Sequence, residues 1–251
     1  MKNIGKLFME YTKYEHLEQS DQDLGLPQPP LESGHDITTP AIKLPEIDRE
    51  KLCDTSLIDV IEKRRSVRKY DLQPLTLEEL SLLLWCTQGV KRVIRNKVTY
   101  RTVPSAGARH ALDTYLLINR VFGLKPGLYK YIALDHALIG IDLSENIADR
   151  VVAACLGQGF IKSGNAAFIW AADFPRMAWR YGERGYRYIH LDAGHVCQNL
   201  YLSARMVGCG VCAVAAFDDD TVNQILGLDG ENGFAVYIGA VGKLPDNEGN
   251  D

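Results

Sequence analysis

The chain has 251 residues, 46% of them apolar and 24% charged, with 28 Lys+Arg against 32 Asp+Glu for a net charge of −4. That is a globular balance, enough for one large domain or two small ones, and its acidic sign argues against a nucleic-acid binder, which needs basic surface. The longest charge-free apolar run, 206–217, is too short for a membrane span; the N-terminus lacks the apolar stretch of a signal peptide; and six Cys are too few for a disulfide scaffold, so a reduced, cytoplasmic protein is expected.

Residues 1–54 are rich in Pro, Asp, Glu and Gln, with no sustained period. They read as an extended arm on the body or on a partner subunit. Ser56-Leu57-Ile58-Asp59 starts a helix that runs to about Arg64. Thr76-Leu77-Glu78-Glu79 fits a capping box, followed by Leu77, Leu80, Leu83 and Leu84 at helical spacing and by Gly89 as a stop. Thr114–Ile118 reads as a strand. Ser144 is expected to cap a helix with Ile147, Val151, Ala154 and Cys155 on one face. Ala166–Ala172 is a buried strand. Leu191, Val196, Leu200, Ala204 and Val207 mark the apolar face of a long helix that ends at Gly208. Val211–Ala216 is a strand, Asp219–Leu226 a helix and Phe234–Val241 the last strand, with 244–251 a polar tail. This order predicts an α+β fold, a mostly antiparallel central sheet flanked by helices, because a doubly wound sheet would alternate strand and helix from the start.

Several clusters invite chemistry. Residues 63–70 (KRRSVRKY) hold five cations and a hydroxyl within seven positions, which suits a phosphate monoester. Taken alone, such a run is more often a solvated helix end. Lys91, Arg92, Arg95, Lys97 and Arg101 read as a flexible surface loop, with a dock for a nicotinamide phosphate as the lesser alternative. The small residues of Pro104-Ser105-Ala106-Gly107-Ala108 would let backbone approach a planar ligand closely. Cys209 and Cys212 have CxxC spacing. They follow a helix and enter a strand, and no second pair offers zinc ligands, so packing is the expected role. His190, Asp192 and His195 share the long helix, but the two His are five apart and HExxH is absent. No Rossmann, P-loop or nucleophile-elbow pattern occurs.

In sequence order these pieces resemble a known family. Arg64-Arg65-Ser66-Val67-Arg68-Lys69-Tyr70 is similar to the RRSxRxY signature of the nitroreductase-like FMN flavoproteins, and Val103–Gly107 to their PSAG loop. Residues 186–195 (YRYIHLDAGH) with 198–202 (QNLYL) resemble the helix of the SagB-type dehydrogenase branch. Met206–Gly210 and Ala216–Asp219 are similar to the segment under the flavin. The resemblance covers about 55–243. It implies the nitroreductase fold and an interlocked cytoplasmic homodimer with FMN at the interface.

It also implies roles. Arg64, Arg65, Ser66 and Arg68 would hold the FMN phosphate and ribityl chain. Pro104, Ser105, Ala106 and Gly107 would reach the isoalloxazine from the partner subunit. Ala213, Val214, Ala215 and Ala216 would run beneath the ring, Gln158 would contact the pyrimidine edge, and Lys243 would complete the phosphate site. Family members often carry a Gly before the Phe-Asp pair and a further C-terminal Arg; here Ala216 stands at the first position and no Arg follows Lys243. The implied activity is FMN-dependent oxidoreduction, with hydride from a donor such as NAD(P)H passing through flavin N5 to a small organic acceptor. No metal or membrane partner is expected. Alternatives are azoline oxidation in peptide maturation, flavin destruction, and a flavin-binding module without turnover.

Overall fold

The computed structural model describes residues 3–34, 38–48, 50 and 55–245. In chain order its elements are α1 (Ile4–Tyr11), β1 (Ala41–Lys43), α2 (Leu57–Lys63), α3 (Leu77–Gln88), β2 (Val90–Ile94), β3 (Val98–Arg101), β4 (Leu112–Ile118), β5 (Gly127–Ile132), β6 (Ala137–Asp142), α4 (Ile147–Ala154), α5 (Phe160–Ser163), β7 (Ala166–Asp173), α6 (Phe174–Tyr181), α7 (Gly185–Met206), β8 (Cys209–Val214), α8 (Asp219–Leu226) and β9 (Gly233–Lys243). Seven strands form one sheet in the order β1-β6-β5-β4-β7-β9-β8, and β2 and β3 pair separately. Every neighbouring pair is antiparallel. The fold is therefore α+β, as its element order predicts.

β7 reads AAFIWAAD because it is covered on both faces. Alternate residues of a strand point to opposite sides. Ala166, Phe168, Trp170 and Ala172 pack towards α3 and α7, whereas Ala167, Ile169 and Ala171 pack towards α4, α5 and α8. α7 meets the first face through Ile189, Ala193, Val196, Cys197, Leu200 and Ala204, all buried. Each larger apolar side chain so buried contributes about 1.5–3 kcal/mol. Gly239 sets the close approach: a Cβ there would lie 2.9 Å from Leu200 Cδ2. Leu191 is exposed and Val207 caps the helix end, so the inward face is rotated from the expected one, which began at Leu191.

Other expectations are corrected. The basic stretch 91–101 is a hairpin, not a flexible loop. Arg95 and Asn96 take φ of 50° and 54° in its turn, and Lys97 N donates to Ile94 O. Arg101 is buried and donates to Gln88 Oε1 at 3.2 Å. Ser144 is not a helix cap; α4 starts two residues later, after Asn146. The arm contains regular structure, because α1 is helical and β1 adds to the sheet edge on β6. It is tied to the body at α6: Gln22 N donates to Trp179 O, Trp179 Nε1 donates to Leu26 O, and Ser33 Oγ donates to Asp173. The expected boundary at residue 54, Cys53 and tail residues 246–251 lie outside the described residues. Among the described residues, no helix is long and apolar enough to cross a membrane.

The capping box at α3 is present. Thr76 Oγ1 accepts from Glu79 N at 3.2 Å, and Glu79 Oε2 accepts from Thr76 N at 2.9 Å. Thr76→Ala is expected to cost about 1 kcal/mol of stability. Equilibrium denaturation checks this, and an unchanged midpoint would contradict it.

Candidate functional site

Arg64 leaves α2 with φ −65° and ψ 120°, extended backbone that ends the helix. The segment then lies along β8, the outermost strand: Ser66 bridges Val211 in parallel, and Val67 N donates to Val211 O at 2.9 Å. The Val67 side chain is buried over Gly210, where a Cβ would fall 2.7 Å from it. Tyr70 Oη donates to Val67 O at 2.7 Å and pins the far end.

Spacing by two puts Arg64, Ser66 and Arg68 on the side opposite Val67. The Arg64 guanidinium sits 5.3 Å from the centre of the Tyr201 ring, and that of Arg68 lies 5.7 Å from Phe160. Neither has a carboxylate partner among the described residues. Two unpaired guanidiniums flanking a hydroxyl, in an acidic chain, are a donor set that fits a phosphate.

Tyr201 joins this segment to β8. Its Oη accepts from Ala213 N and shares a hydrogen bond with Ser66 Oγ, both at 2.9 Å. Val214 ends the strand, and Ala215 and Ala216 run on exposed. Gln158 Nε2 donates to Ala216 O at 2.8 Å and to Cys155 O at 2.9 Å. The structure thus gathers Arg64, Ser66, Arg68, Gln158 and the 213–216 segment within one chain.

Lys243 is placed differently. Its Nζ lies 2.5 Å from Glu79 Oε1 and donates to Val207 O at 2.9 Å. The ammonium is committed to a carboxylate, so it does not add an unpaired cation to the group. Cys209 and Cys212 are both buried and, three apart on a strand, face opposite sides. Burial pushes the Cys209 thiol up to about 12 and raises Cys212. Neither has the lowered pKa of a reactive thiol.

The Pro104–Gly107 loop is built elsewhere. Ser105 Oγ accepts from His110 N at 2.8 Å, closing a tight turn in which Gly107, Ala108 and His110 have φ of 54°, 52° and 46°. Gly107 takes its left-handed φ without strain, and a Cβ there would fall 2.5 Å from Tyr181 Oη, so a side chain would have to displace the Tyr181 hydroxyl. Asp192 holds the loop from α7: Oδ1 accepts from Ala106 N at 3.2 Å, and Oδ2 is buried with no partner among the described residues. Burial raises the Asp192 pKa against the lowering effect of Ser105 and Ala106. His190 and His195 are exposed; His195, one turn on from Asp192, is near enough for its charge to oppose the rise of that carboxyl's pKa.

Asp192 and Tyr201 are nine residues apart. On an α-helix that is about 14 Å of rise and two and a half turns, so they leave opposite sides of α7. The loop and the cation segment therefore flank the core-facing stripe from either side. A separate cavity of about 330 Å³ between α2, α3 and α7 is lined by Leu57, Trp85, Cys86, Thr102, Asn199 and Met206, among others. None of these is a predicted site residue. Tyr201 is no candidate from the sequence beyond its place within QNLYL; the tertiary structure brings it to Ser66.

Comparison with known proteins matches residues 61–243 to the model of the nitroreductase family. The Methanocaldococcus jannaschii protein MJ1384, assigned to the nitroreductases, is 42% identical over 188 residues, 75% of this chain and 90% of that protein. The Escherichia coli microcin synthetase McbBCD complex, solved with truncated pro-MccB17 bound, contains a chain similar at TM-score 0.63 and 18% identity, with 97% of this chain and 92% of that one covered. A nitroreductase-type protein of Desulfovibrio desulfuricans, solved in complex with FMN, is similar at TM-score 0.54 and 16% identity over 79% of this chain and 91% of that one.

His110, beside the loop, is buried, and burial followed by the Arg101 charge lowers its pKa from 6.5 to about 3. As pH falls, the unfolded chain therefore takes up this proton first. The stability that His110 contributes is full above about 6.5 and is lost as pH falls towards 3. Denaturation midpoints are expected to fall between pH 7 and 5, and His110→Asn to flatten that slope. A slope unaltered by the substitution would contradict the assignment.

Proposed function

The chain belongs to the nitroreductase family, and from that premise we propose that it is an FMN-dependent oxidoreductase acting from NAD(P)H on a small organic acceptor. The observation that carries the cofactor reading is the pair of guanidiniums, Arg64 and Arg68, on either side of the Ser66 hydroxyl and without a carboxylate partner among the described residues. With Ser66 they would bind the phosphate; Arg65, which the resemblance adds to the set, alternates to the Val67 side of the extended segment. The backbone of Ala213–Ala216 would lie beneath the ring, with Gln158 bracing Ala216. When bound, FMN supplies the two-electron chemistry at N5, and the protein supplies position and electrostatics.

The loop Pro104–Gly107 would come from a second copy. Its anchor on α7 leaves the helix on the side opposite Tyr201, which favours sharing between subunits over closure within one chain. A two-fold dimer would then carry two equivalent composite sites. The described cysteines are all unbridged, which fits a reducing, cytoplasmic setting.

A second reading is dehydrogenation of a peptide during maturation, as in the SagB-type branch. It is favoured by the likeness to a McbBCD chain over 97% of this chain, arm included. Anaerobic titration with NADH and NADPH separates the two, because a peptide dehydrogenase reoxidised by oxygen needs neither.

The purified protein is expected to carry about one flavin per chain that elutes as FMN after heat release. Arg68→Glu replaces a charge-assisted bond by repulsion. Such bonds are worth about 1.5–3 kcal/mol, so FMN affinity should fall roughly ten- to hundredfold with an unchanged circular dichroism spectrum. FAD in place of FMN, or an unaltered affinity, would contradict the reading.

A further inference from the structure

We propose that Tyr201 is a positioning residue that couples the phosphate-binding hydroxyl of Ser66 to the strand beneath the flavin ring; the proposal rests on the flavin reading above. A phenol hydroxyl donates one hydrogen bond and accepts others. Ala213 N–H already donates to Tyr201 Oη at 2.9 Å, and Ser66 Oγ is the other neighbour, also at 2.9 Å.

The direction of the second bond follows from what Ser66 is asked to do. A serine hydroxyl has one hydrogen. If Ser66 is to donate it to a phosphate held by Arg64 and Arg68, it cannot donate it to Tyr201. Tyr201 must then donate to Ser66. The bonds run one way, from Ala213 N–H to Tyr201 Oη–H to Ser66 Oγ–H to the anion, and each polarises the next. The Tyr201 ring also lies against the Arg64 guanidinium, 5.3 Å from its centre. One side chain therefore sets the Ser66 proton, braces Arg64 and occupies the Ala213 backbone donor of β8. α7 carries Tyr201 to this point from the flank of its buried stripe, beside fully buried Leu200.

Tyr201→Phe keeps the ring against Arg64 and removes only the hydroxyl. A structural role would alter all flavin binding alike; a role through Ser66 acts on the phosphate. The test therefore compares FMN with riboflavin, which lacks the phosphate, by quenching of flavin fluorescence in the dimeric or monomeric protein as purified and stripped of cofactor. Wild type is expected to prefer FMN strongly. Tyr201→Phe should lower that preference about five- to tenfold with riboflavin affinity nearly unchanged. Ser66→Ala should lower it at least as much, and the double variant no further than Ser66→Ala alone, the non-additivity expected of one chain of bonds.

Equal weakening of FMN and riboflavin, or additive losses in the double variant, would overturn the proposal. Circular dichroism monitors folding. If Tyr201→Phe does not fold, Ser66→Ala decides: FMN preference retained without the hydroxyl that Tyr201 contacts overturns the proposal, and preference lost with riboflavin affinity unchanged supports it. If wild type binds neither flavin, the cofactor reading itself fails, and this inference with it.

Discussion

An edge strand leaves a row of backbone donors and acceptors without partners. On β8 that row is closed by Val67 and Tyr201 rather than by another strand. The price of closing the edge this way is that residues 64–68 must run extended, and extension turns Arg64, Ser66 and Arg68 together to the side away from the core. Gly210 makes it possible, since any side chain there would strike Val67. The cation cluster is thus a consequence of how the sheet is finished: the segment's inward contacts are made by Val67 and Tyr70, and among the described residues Arg64 and Arg68 have no carboxylate partner.

α7 imposes the second constraint. Its buried stripe is fixed by packing on Trp170 and Gly239, and the two polar residues that matter leave it on opposite flanks. Asp192 fixes a loop with three left-handed residues in close succession, a conformation that stands because several bonds over-determine it. Tyr201 fixes the cation segment. A rigid helix with these anchors holds the loop and the cation segment on opposite flanks of one chain, the arrangement from which sharing with a second copy is proposed.

Much of this was legible in the sequence. α3 carried its own start in the Thr76–Glu79 box, α8 matched its expected bounds, and β7 was a continuous apolar run because both of its faces are buried. β5 and β6 are not legible, because Gly127, Lys130 and Gly140 interrupt their apolar pattern; the buried Lys130 is paired with Asp113, 3.0 Å away, a partner no local pattern shows. The hairpin at 90–101 hid its turn in Arg95-Asn96, with no Gly to mark two left-handed residues. The cation segment and the loop could be named from their motifs. Their mutual placement could not, since it depends on where Asp192 and Tyr201 leave a helix whose inward face is set by tertiary packing.

The composite character of the site is tested most directly by complementation between two inactive chains. Arg64→Glu should abolish flavin retention by repelling the phosphate, and Gly107→Trp by filling the ring pocket from the other subunit. In a heterodimer of the two, one site receives both lesions and the other neither. Random pairing makes half the dimers mixed, so co-refolded chains should recover about a quarter of the wild-type flavin content. Verified heterodimers that retain no flavin would show that the loop and the cation segment do not meet across a two-fold axis.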